Sequence, residues 1–146
     1  MIESTHPHAV WRDRANFIVA ASLPEEGRTE QLWARQLDAQ RFEVCCIPFF
    51  LYDVALGDVV ETDAALLLKR VTRASGRYVF RVWFGEGPGE GEEIAKALID
   101  QGCLIEWSSP NLLAVDTVDA DHASKVAGYL QQRETEGGLL YETGKT

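Results

Sequence analysis

The sequence predicts an α+β fold made of two halves that differ in their patterning. The first half, residues 16–76, contains short apolar stretches separated by turn residues, which is typical of a small bent β-sheet or a barrel-like sheet. The second half, residues 77–146, has the order strand, helix, strand, strand, helix, strand, which is the ferredoxin-like (βαββαβ) pattern. We therefore expect a β-rich subdomain packed on a ferredoxin-like subdomain, preceded by a loosely ordered arm over residues 1–15.

Strands in the first half are predicted from alternation and from β-branched and aromatic content. Residues 16–22 are β-rich, and residues 41–46 place apolar side chains at every second position. Residues 30–37 fit either a strand or a helical turn. Two further strands, over 59–62 and 65–75, lead to a Ser-Gly pair where the pattern changes. The composition there is not that of a linker, so we expect the two halves to pack together.

The second half has a clearer pattern. Four strands are predicted, at residues 77–84, 103–107, 112–118 and 139–143. Residues 92–101 carry apolar side chains at helical spacing, and Gly102 is placed to end that helix. Asp119 is a good N-cap for a second amphipathic helix, which the Gly-Gly pair at 137–138 ends.

The chain is acidic, and most of the excess charge lies in its second half. Fourteen Lys and Arg stand against 23 Asp and Glu, for a formal net charge of −9. Residues 1–76 carry 8 basic and 11 acidic side chains, and residues 77–146 carry 6 and 12. Nucleic-acid binding normally needs a basic surface that displaces phosphate counterions, so no nucleic-acid partner is expected. A partner selected by charge would be a basic protein.

Neither a membrane span nor an export signal is predicted. The apolar runs are far shorter than the roughly 18 residues that a span requires, and the first residues lack the apolar core of a secretory signal. Three cysteines, two of them adjacent, do not make a disulfide framework. We therefore expect a cytoplasmic protein.

A glycine-rich acidic loop over residues 85–91 lies between a predicted strand and a predicted helix. Phosphate-binding loops occur at such places, because free amides and the helix dipole attract anions. Glutamates already crowd this helix start, and no Lys-Ser or Lys-Thr follows, so an acidic loop that contacts a cationic partner is favoured. The expected partner-binding residues are Glu86, Glu90, Glu92, Glu93, Trp83 and Trp107.

The cysteines and histidines form no recognisable catalytic or metal-binding pattern. Cys45 and Cys46 are adjacent, so on a strand they would face opposite sides and could not form a Cys-x-x-Cys knuckle. His6 and His8 lie on the expected arm, and His122 lies in the first turn of a predicted helix. Buried, inert cysteines are favoured over a thiol nucleophile. No catalytic residue, metal ligand or cofactor is predicted.

Both faces of the strand at residues 77–84 are bulky. Tyr78, Phe80, Val82 and Phe84 share one face, and Val79, Arg81 and Trp83 share the other. The lack of a basic surround argues against stacking of RNA bases on these aromatic rings. Packing against the first half is favoured over an exposed protein-binding patch.

The stretch Cys45–Glu61, which reads CCIPFFLYDVALGDVVE, is interpreted as core. Pro48 interrupts strand pairing, and each phenylalanine after it contributes about 1.5–3 kcal/mol if fully buried. Gly57 permits a tight turn, and Asp58 can bond the backbone beyond it. We expect this stretch to hold the two halves together.

With Trp33 upstream and Ser75-Gly76 downstream, this stretch resembles a bacterial family known as domain of unknown function 4265. The resemblance is carried by Ile47-Pro48-Phe49-Phe50, by Leu56-Gly57-Asp58-Val59-Val60 and by the Ser-Gly pair, and it spans roughly Asn16 to Thr143. It implies no reaction and no catalytic residues. Some small bacterial proteins of this sort resemble immunity partners of secreted toxins, so an immunity role is one implication.

Two functional hypotheses follow. The first is a non-catalytic acidic protein-binding module, such as an immunity-type inhibitor of a basic toxin or of another cationic protein. The alternative is a small-molecule-binding or regulatory domain with a ligand cleft between the two halves. An enzyme with a cysteine nucleophile is the third and least favoured possibility.

Overall fold

The computed structural model describes residues 2–85 and 91–145, which form an α+β fold. The first sheet contains β1 (Ile2–Ser4), β2 (Phe17–Ser22), β3 (Arg28–Gln36), β4 (Arg41–Val44), β5 (Val59–Thr62) and β6 (Leu68–Arg73). The second contains β7 (Tyr78–Trp83), β8 (Leu104–Ser109), β9 (Leu112–Thr117) and β10 (Leu140–Lys145), and the helices are α1 (Gly91–Asp100) and α2 (Ala120–Thr135). The expected α+β class is confirmed.

The first sheet curls on itself. β3 pairs antiparallel with β2 along one edge, and along the other it pairs first with β1 and then with β4, after which β5 and β6 follow. A bridge between Ala20 and Leu67 brings β2 against β6. The enclosed core contains Val19, Leu32, Ala34, Phe42, Val44 and Val60, all fully buried. The segment at 30–37, which fits a strand or a helical turn in the sequence, lies in strand β3 as far as Gln36.

The second sheet is antiparallel throughout, in the order β10-β7-β9-β8. Both helices contribute to the core on one of its faces, where Phe80, Val82, Leu113 and Val115 meet Ile94, Leu98, Val126 and Leu130. Asp119 caps α2 by accepting a hydrogen bond from the amide of His122 at 2.8 Å. None of the helices in the described residues is long and apolar enough to cross a membrane.

The opposite face of the second sheet meets the first half. Val79 and Ala114 pack there against Ile47, Phe49 and Ala55 of the segment between β4 and β5. The expected packing of this face against the first half is confirmed for these residues. It does not extend to Trp83, which is 41% exposed.

The expectation of a loosely ordered arm is wrong for residues 2–15. β1 pairs in parallel with the start of β3, and a 3₁₀ turn follows at Arg12–Arg14. His6 is buried, and its carbonyl accepts a hydrogen bond from Trp33 Nε1 at 2.9 Å. The burial of His6 could not be predicted from this segment, because the carboxylates that pair with His6 lie far away along the chain.

Candidate functional site: a buried ion cluster and an arginine cleft

An imidazole ring lies between two buried carboxylates where the two halves meet. His6 Nε2 is 2.6 Å from Glu30 Oε2, on β3, and His6 Nδ1 is 2.8 Å from Glu106 Oε1, on β8. The ring also stacks on Phe49, with centroids 4.0 Å apart and planes 7° apart. We call His6, Glu30 and Glu106 the His6 cluster. It joins the N-terminal segment to both sheets.

The carboxylate of Glu30 is held by three consecutive amides. Its Oε2 accepts from Phe49 N at 2.7 Å, and its Oε1 accepts from Phe50 N at 3.0 Å and from Leu51 N at 2.9 Å. Charge-assisted bonds of this kind are about twice as strong as neutral ones. The backbone after Pro48 is therefore fixed by a strand of the first sheet.

The carboxylate of Glu106 holds the same segment from the other side. Its Oε2 accepts from Ile47 N at 2.6 Å and from Val10 N at 3.4 Å. Pro48, between the two bound amides, has no N–H to satisfy. The Ile-Pro-Phe-Phe motif thus offers amides to one carboxylate on each sheet, which gives the motif a physical role in joining them.

The geometry identifies His6 as an imidazolium at neutral pH. Burial by itself would lower the pKa of His6, but hydrogen bonds with Cys46, Glu106 and Glu30 outweigh it and raise the pKa to about 12. Burial would likewise raise the pKa of Glu30, yet the hydrogen bonds from His6 and the amides lower it. Both ring nitrogens are donors in this state, so each carboxylate receives one.

This cluster does not activate a thiol. Cys46 is fully buried, and its pKa is raised chiefly by that burial, although its hydrogen bond with His6 opposes the shift. A histidine whose two nitrogens both donate has no lone pair with which to accept a thiol proton. Burial also raises the pKa of Cys45, to about 11. Thiolates are the reactive form of cysteine, so both thiols are in the inert state.

A second thiol and histidine meet at the end of α1. Cys103 Sγ lies 3.8 Å from His122 Nε2. His122 Nδ1 accepts from Val118 N at 3.0 Å, so Nε2 carries the proton and donates to Gln101 O at 2.7 Å. Burial raises the pKa of Cys103 to about 12. This tautomer cannot act as a base toward the thiol.

Metal coordination is not indicated within residues 2–85 and 91–145. No group of three or more His, Cys, Asp or Glu side chains there is arranged to hold a metal ion. In the His6 cluster, the protonated ring is itself the cation between the two carboxylates.

Asp58 forms a second buried ionic contact between the halves. Its Oδ2 accepts from Ala55 N at 2.9 Å and from Lys145 Nζ, on β10, at 2.6 Å, while its Oδ1 accepts from Ser75 N at 2.8 Å. The expected bond from Asp58 to backbone beyond the turn is confirmed. The Leu-Gly-Asp and Ser-Gly motifs therefore meet in space.

Beside this contact lies a cleft of about 380 Å³, which we call the arginine cleft. Residues from both halves line it, and its main polar and aromatic members are Trp11, Arg14, Glu43, Arg73, Ser75 and Arg77. Gly57 is also part of its wall, where a methyl group would lie 3.1 Å from Ser75 Cβ and 3.4 Å from the Trp11 ring. Glycine at this position keeps both side chains close to the turn.

Two of the three arginines in the cleft are fixed. Arg77 binds the buried carboxylate of Asp116 in bidentate fashion, with Nε–Oδ1 at 2.9 Å and Nη2–Oδ2 at 2.7 Å. Arg14 Nη2 bonds Glu43 Oε1 at 2.7 Å. The Cζ atoms of both arginines lie over the Trp11 ring, at 4.4 Å for Arg14 and 5.3 Å for Arg77. The side chain of Arg73 is exposed and has no hydrogen-bond or ion-pair partner in the described part of the chain.

The expected partner-binding residues are only partly brought together. Glu92 and Glu93 are exposed in the first turn of α1. Trp107 lies near that turn, because a methyl group on Gly91 would be 3.4 Å from its ring. Trp83 lies on the opposite face of the sheet, among Leu112 and Leu140. Glu86 and Glu90 lie outside the described residues.

Sequence reasoning missed the residues that form both sites. The sequence pattern places His6 on an arm and indicates no role for Arg14, Arg73 or Arg77. No local signal marks the cluster. The strand period places Glu106 beside Leu104, on the face opposite the apolar Cys103 and Ile105, so its burial cannot be expected from the pattern of its own strand.

The chain is thus a mixed α+β protein whose two sheets are joined by buried ion pairs. The chain belongs to the family described as a domain of unknown function (DUF4265), whose sequence profile matches residues 30–141. This confirms the family resemblance seen in the sequence. No curated protein matches the chain.

A solved structure is similar to this chain. It is described as "Novel crystal structure of a hypothetical protein from Neisseria gonorrhoeae", and the alignment has a TM-score of 0.72. The two chains are 20% identical, and the match covers 89% of this chain and 96% of the other. At this identity the likeness shows a shared fold.

Replacing the histidine of the cluster should destabilise the protein severely. His6→Gln leaves two buried carboxylates without their cation, and loss of one partner from a buried ionic network costs about 3–5 kcal/mol. The free energy of unfolding, measured by urea denaturation, is expected to fall by this amount or to leave no folded protein. His8→Gln is the matched control, because His8 is exposed, and it should change stability by less than about 0.5 kcal/mol.

The double variant His6→Gln/Glu106→Gln separates the effect of buried charge on stability from the effect of packing. It removes one of the two uncompensated carboxylate charges, so it should recover part of the unfolding free energy that His6→Gln loses. Equal unfolding free energies for His6→Gln and His8→Gln would show that the ring carries no special role.

Proposed function

We propose that the protein binds a small anionic ligand, bearing a carboxylate or phosphate group, in the arginine cleft between its two halves. The observation that carries this proposal is the guanidinium of Arg73, which has no polar partner among the described residues and stands beside two further arginines. Glu43 already pairs with Arg14, and Asp116 pairs with Arg77, so the uncompensated positive charge in the cleft is that of Arg73.

Two of the arginines are preorganised for binding. Arg14 and Arg77 are held by carboxylates and by the Trp11 ring, so little side-chain entropy is lost when a ligand meets them. Guanidinium groups match carboxylate and phosphate oxygens in geometry as well as in charge. A cleft of about 380 Å³ is of the size that takes a small metabolite.

Binding at this site could couple to the junction between the halves. Ser75 lies in the cleft wall, and its amide is bonded to Asp58, which also holds Lys145 of β10. Arg77 and Val118 come from the second half, whereas Trp11, Arg14 and Arg73 come from the first. A ligand that bridges them would stabilise the packing of the two halves, which is the behaviour of a regulatory binding domain.

The proposal predicts anion binding that depends on Arg73. Isothermal titration with inorganic phosphate, pyrophosphate and citrate should detect binding by at least one of the three. Arg73→Met removes one charged contact, worth about 1.5–3 kcal/mol, and should weaken that binding by about tenfold or more. Arg70→Met on the same strand is the matched control, since Arg70 pairs with Glu61 and does not line the cleft.

Two results would contradict the proposal. One is the absence of heat and of thermal stabilisation with all three anions at low ionic strength. The other is an equal loss of affinity in Arg73→Met and Arg70→Met, which would indicate a diffuse charge effect.

A second candidate function is the acidic protein-binding module, such as an immunity-type inhibitor of a basic toxin. It is favoured by the location of the charge. Of the buried carboxylates, Glu30 and Glu106 pair with His6, Asp58 pairs with Lys145, and Asp116 pairs with Arg77. Arg81 is a fourth cation in the interior. When His6 is protonated, the formal net charge of the chain changes from −9 to −8. The charges of these eight groups sum to zero, so the remaining side chains carry the whole net charge of −8.

Binding of this kind should be steered by charge and weakened by salt. Copurification with the protein encoded by the adjacent gene should be strong at low salt, and Glu92→Gln with Glu93→Gln should reduce it several-fold. Copurification that is unchanged by both high salt and these substitutions would exclude charge as the basis of recognition.

We also propose finer assignments of fold and compartment. The strand order β10-β7-β9-β8, with both helices on one face, supports a ferredoxin-like second half over residues 77–146. Closure of β2 on β6 supports a barrel-like first half over residues 16–76. The three cysteines are buried free thiols, which fits a reducing cytoplasm.

A further inference from the structure

Arg81 is a buried cation whose hydrogen-bonding capacity is not used. Its side chain is on β7, and the residue is only 2% exposed. Its Nη2 donates to the carbonyl of Leu51. Nε and Nη1 have no acceptor in the described part of the chain, although both atoms are buried. Leaving charged donors unpaired in the interior is costly, so such a group requires an explanation.

Neighbouring groups do not supply the missing acceptors. Glu142 lies directly across the strand pair from Arg81 and accepts a hydrogen bond from the Tyr52 hydroxyl at 2.7 Å, but neither of its oxygens accepts from Arg81 Nε or Nη1. The Tyr52 ring itself lies 4.9 Å from Arg81 Cζ and offers only its π face. The carboxylate of Glu30 is occupied by His6 and three amides.

The backbone nearby is adapted to the guanidinium. A methyl group on Gly144 of β10 would lie 2.6 Å from Arg81 Nη1 and 2.9 Å from Cζ. Only a residue without Cβ leaves room for the guanidinium at this point of the strand. The arginine is therefore accommodated by the fold, even though two of its nitrogens remain unpaired.

Arg81 also lines a cavity of about 290 Å³ on the face of the second sheet away from the helices. The other lining residues are Trp83, Leu112, Leu140, Tyr141 and Glu142. Trp83 is 41% exposed and Leu140 is 56% exposed, so the exposed part of the lining is apolar apart from Glu142. The first half packs on Val79 and Ala114 of the same face and leaves this end of the sheet uncovered.

We propose that this cavity, which we call the Arg81 cavity, binds a small monocarboxylate with a compact apolar body. The carboxylate supplies an acceptor for the unpaired guanidinium, and the apolar body lies against Trp83, Leu112 and Leu140. A single negative charge matches a single unpaired cation, whereas a doubly charged phosphate would leave excess charge in an apolar site beside Glu142. This site is separate from the arginine cleft.

Entry of the ligand requires a movement of the wall. Because Nε and Nη1 are shielded from water in the free protein, part of the cavity lining must shift for a carboxylate to reach them. Two resonances therefore report directly on this site: the Nε–H of Arg81 and the indole N–H of Trp83.

The test is a titration of the full ¹⁵N-labelled chain with benzoate, followed by ¹H–¹⁵N correlation spectra. Benzoate should shift both resonances saturably, and benzamide, which has the same shape without the charge, should not. Arg81→Met should lower the affinity for benzoate at least tenfold. Trp83→Ala leaves the guanidinium in place and should weaken binding several-fold, so it keeps the test informative if Arg81→Met does not fold.

A matched control lies on another surface. Ile99→Ala changes an exposed apolar residue of α1 outside the cavity and should leave benzoate binding unchanged. The proposal is overturned if benzoate causes no shift at about 10 mM, ten times a 1 mM dissociation constant. It is also overturned if benzamide shifts the same resonances equally, or if Trp83→Ala and Ile99→Ala bind benzoate equally well.

Discussion

The protonated imidazole of His6 lies between a carboxylate of each sheet, and the junction of the two halves is built around it. Glu30 and Glu106 would repel each other if they faced an empty interior, and neither could be buried as an anion without a cation. With the imidazolium in place, their remaining lone pairs are free to accept five backbone amides from Val10 and from the segment Ile47–Leu51. An ionic contact thus fixes the course of a loop as well as the position of two sheets.

The segment between β4 and β5 transmits this constraint to both proposed binding sites. Cys45 O accepts from Trp11 N, which places the indole in the arginine cleft. Leu51 O accepts from Arg81, which lines the other cavity. Farther along, Gly57 forms part of the wall of the cleft, and Asp58 makes the ionic contact with Lys145 of β10. The two sites are therefore positioned by one segment, and that segment is held by the His6 cluster.

The sequence predicted the elements of the fold well, because local patterns determine them. Alternation located β4, β-rich composition located β2 and the Leu-Gly-Asp turn located β5, each to within two residues, and Asp119 located the start of α2. The interpretation of Cys45–Glu61 as a segment that joins the halves rested on its aromatic content. The structure adds four hydrogen bonds from amides of this segment to Glu30 and Glu106. The family resemblance depended on the same motifs.

The two sites could not be predicted in the same way, because their members are far apart in sequence. His6 is 24 residues from Glu30 and 100 residues from Glu106, and no local period relates them. The three arginines of the cleft are likewise brought together only when β6 ends beside the 3₁₀ turn. The acidic composition indicated exposed carboxylates such as Glu92 and Glu93 as binding residues. It gave no indication that a few of the cations are clustered.

The charge state of His6 is the central claim, and an NMR titration of its ring tests it most directly. Long-range ¹H–¹⁵N spectra of histidine-labelled protein distinguish an imidazolium from a neutral ring. The account predicts that both His6 nitrogens stay protonated up to at least about pH 9, because the pKa is raised to about 12, whereas free histidine loses its proton near pH 6.5. A His6 ring that becomes neutral near pH 6.5 while the protein remains folded would contradict it.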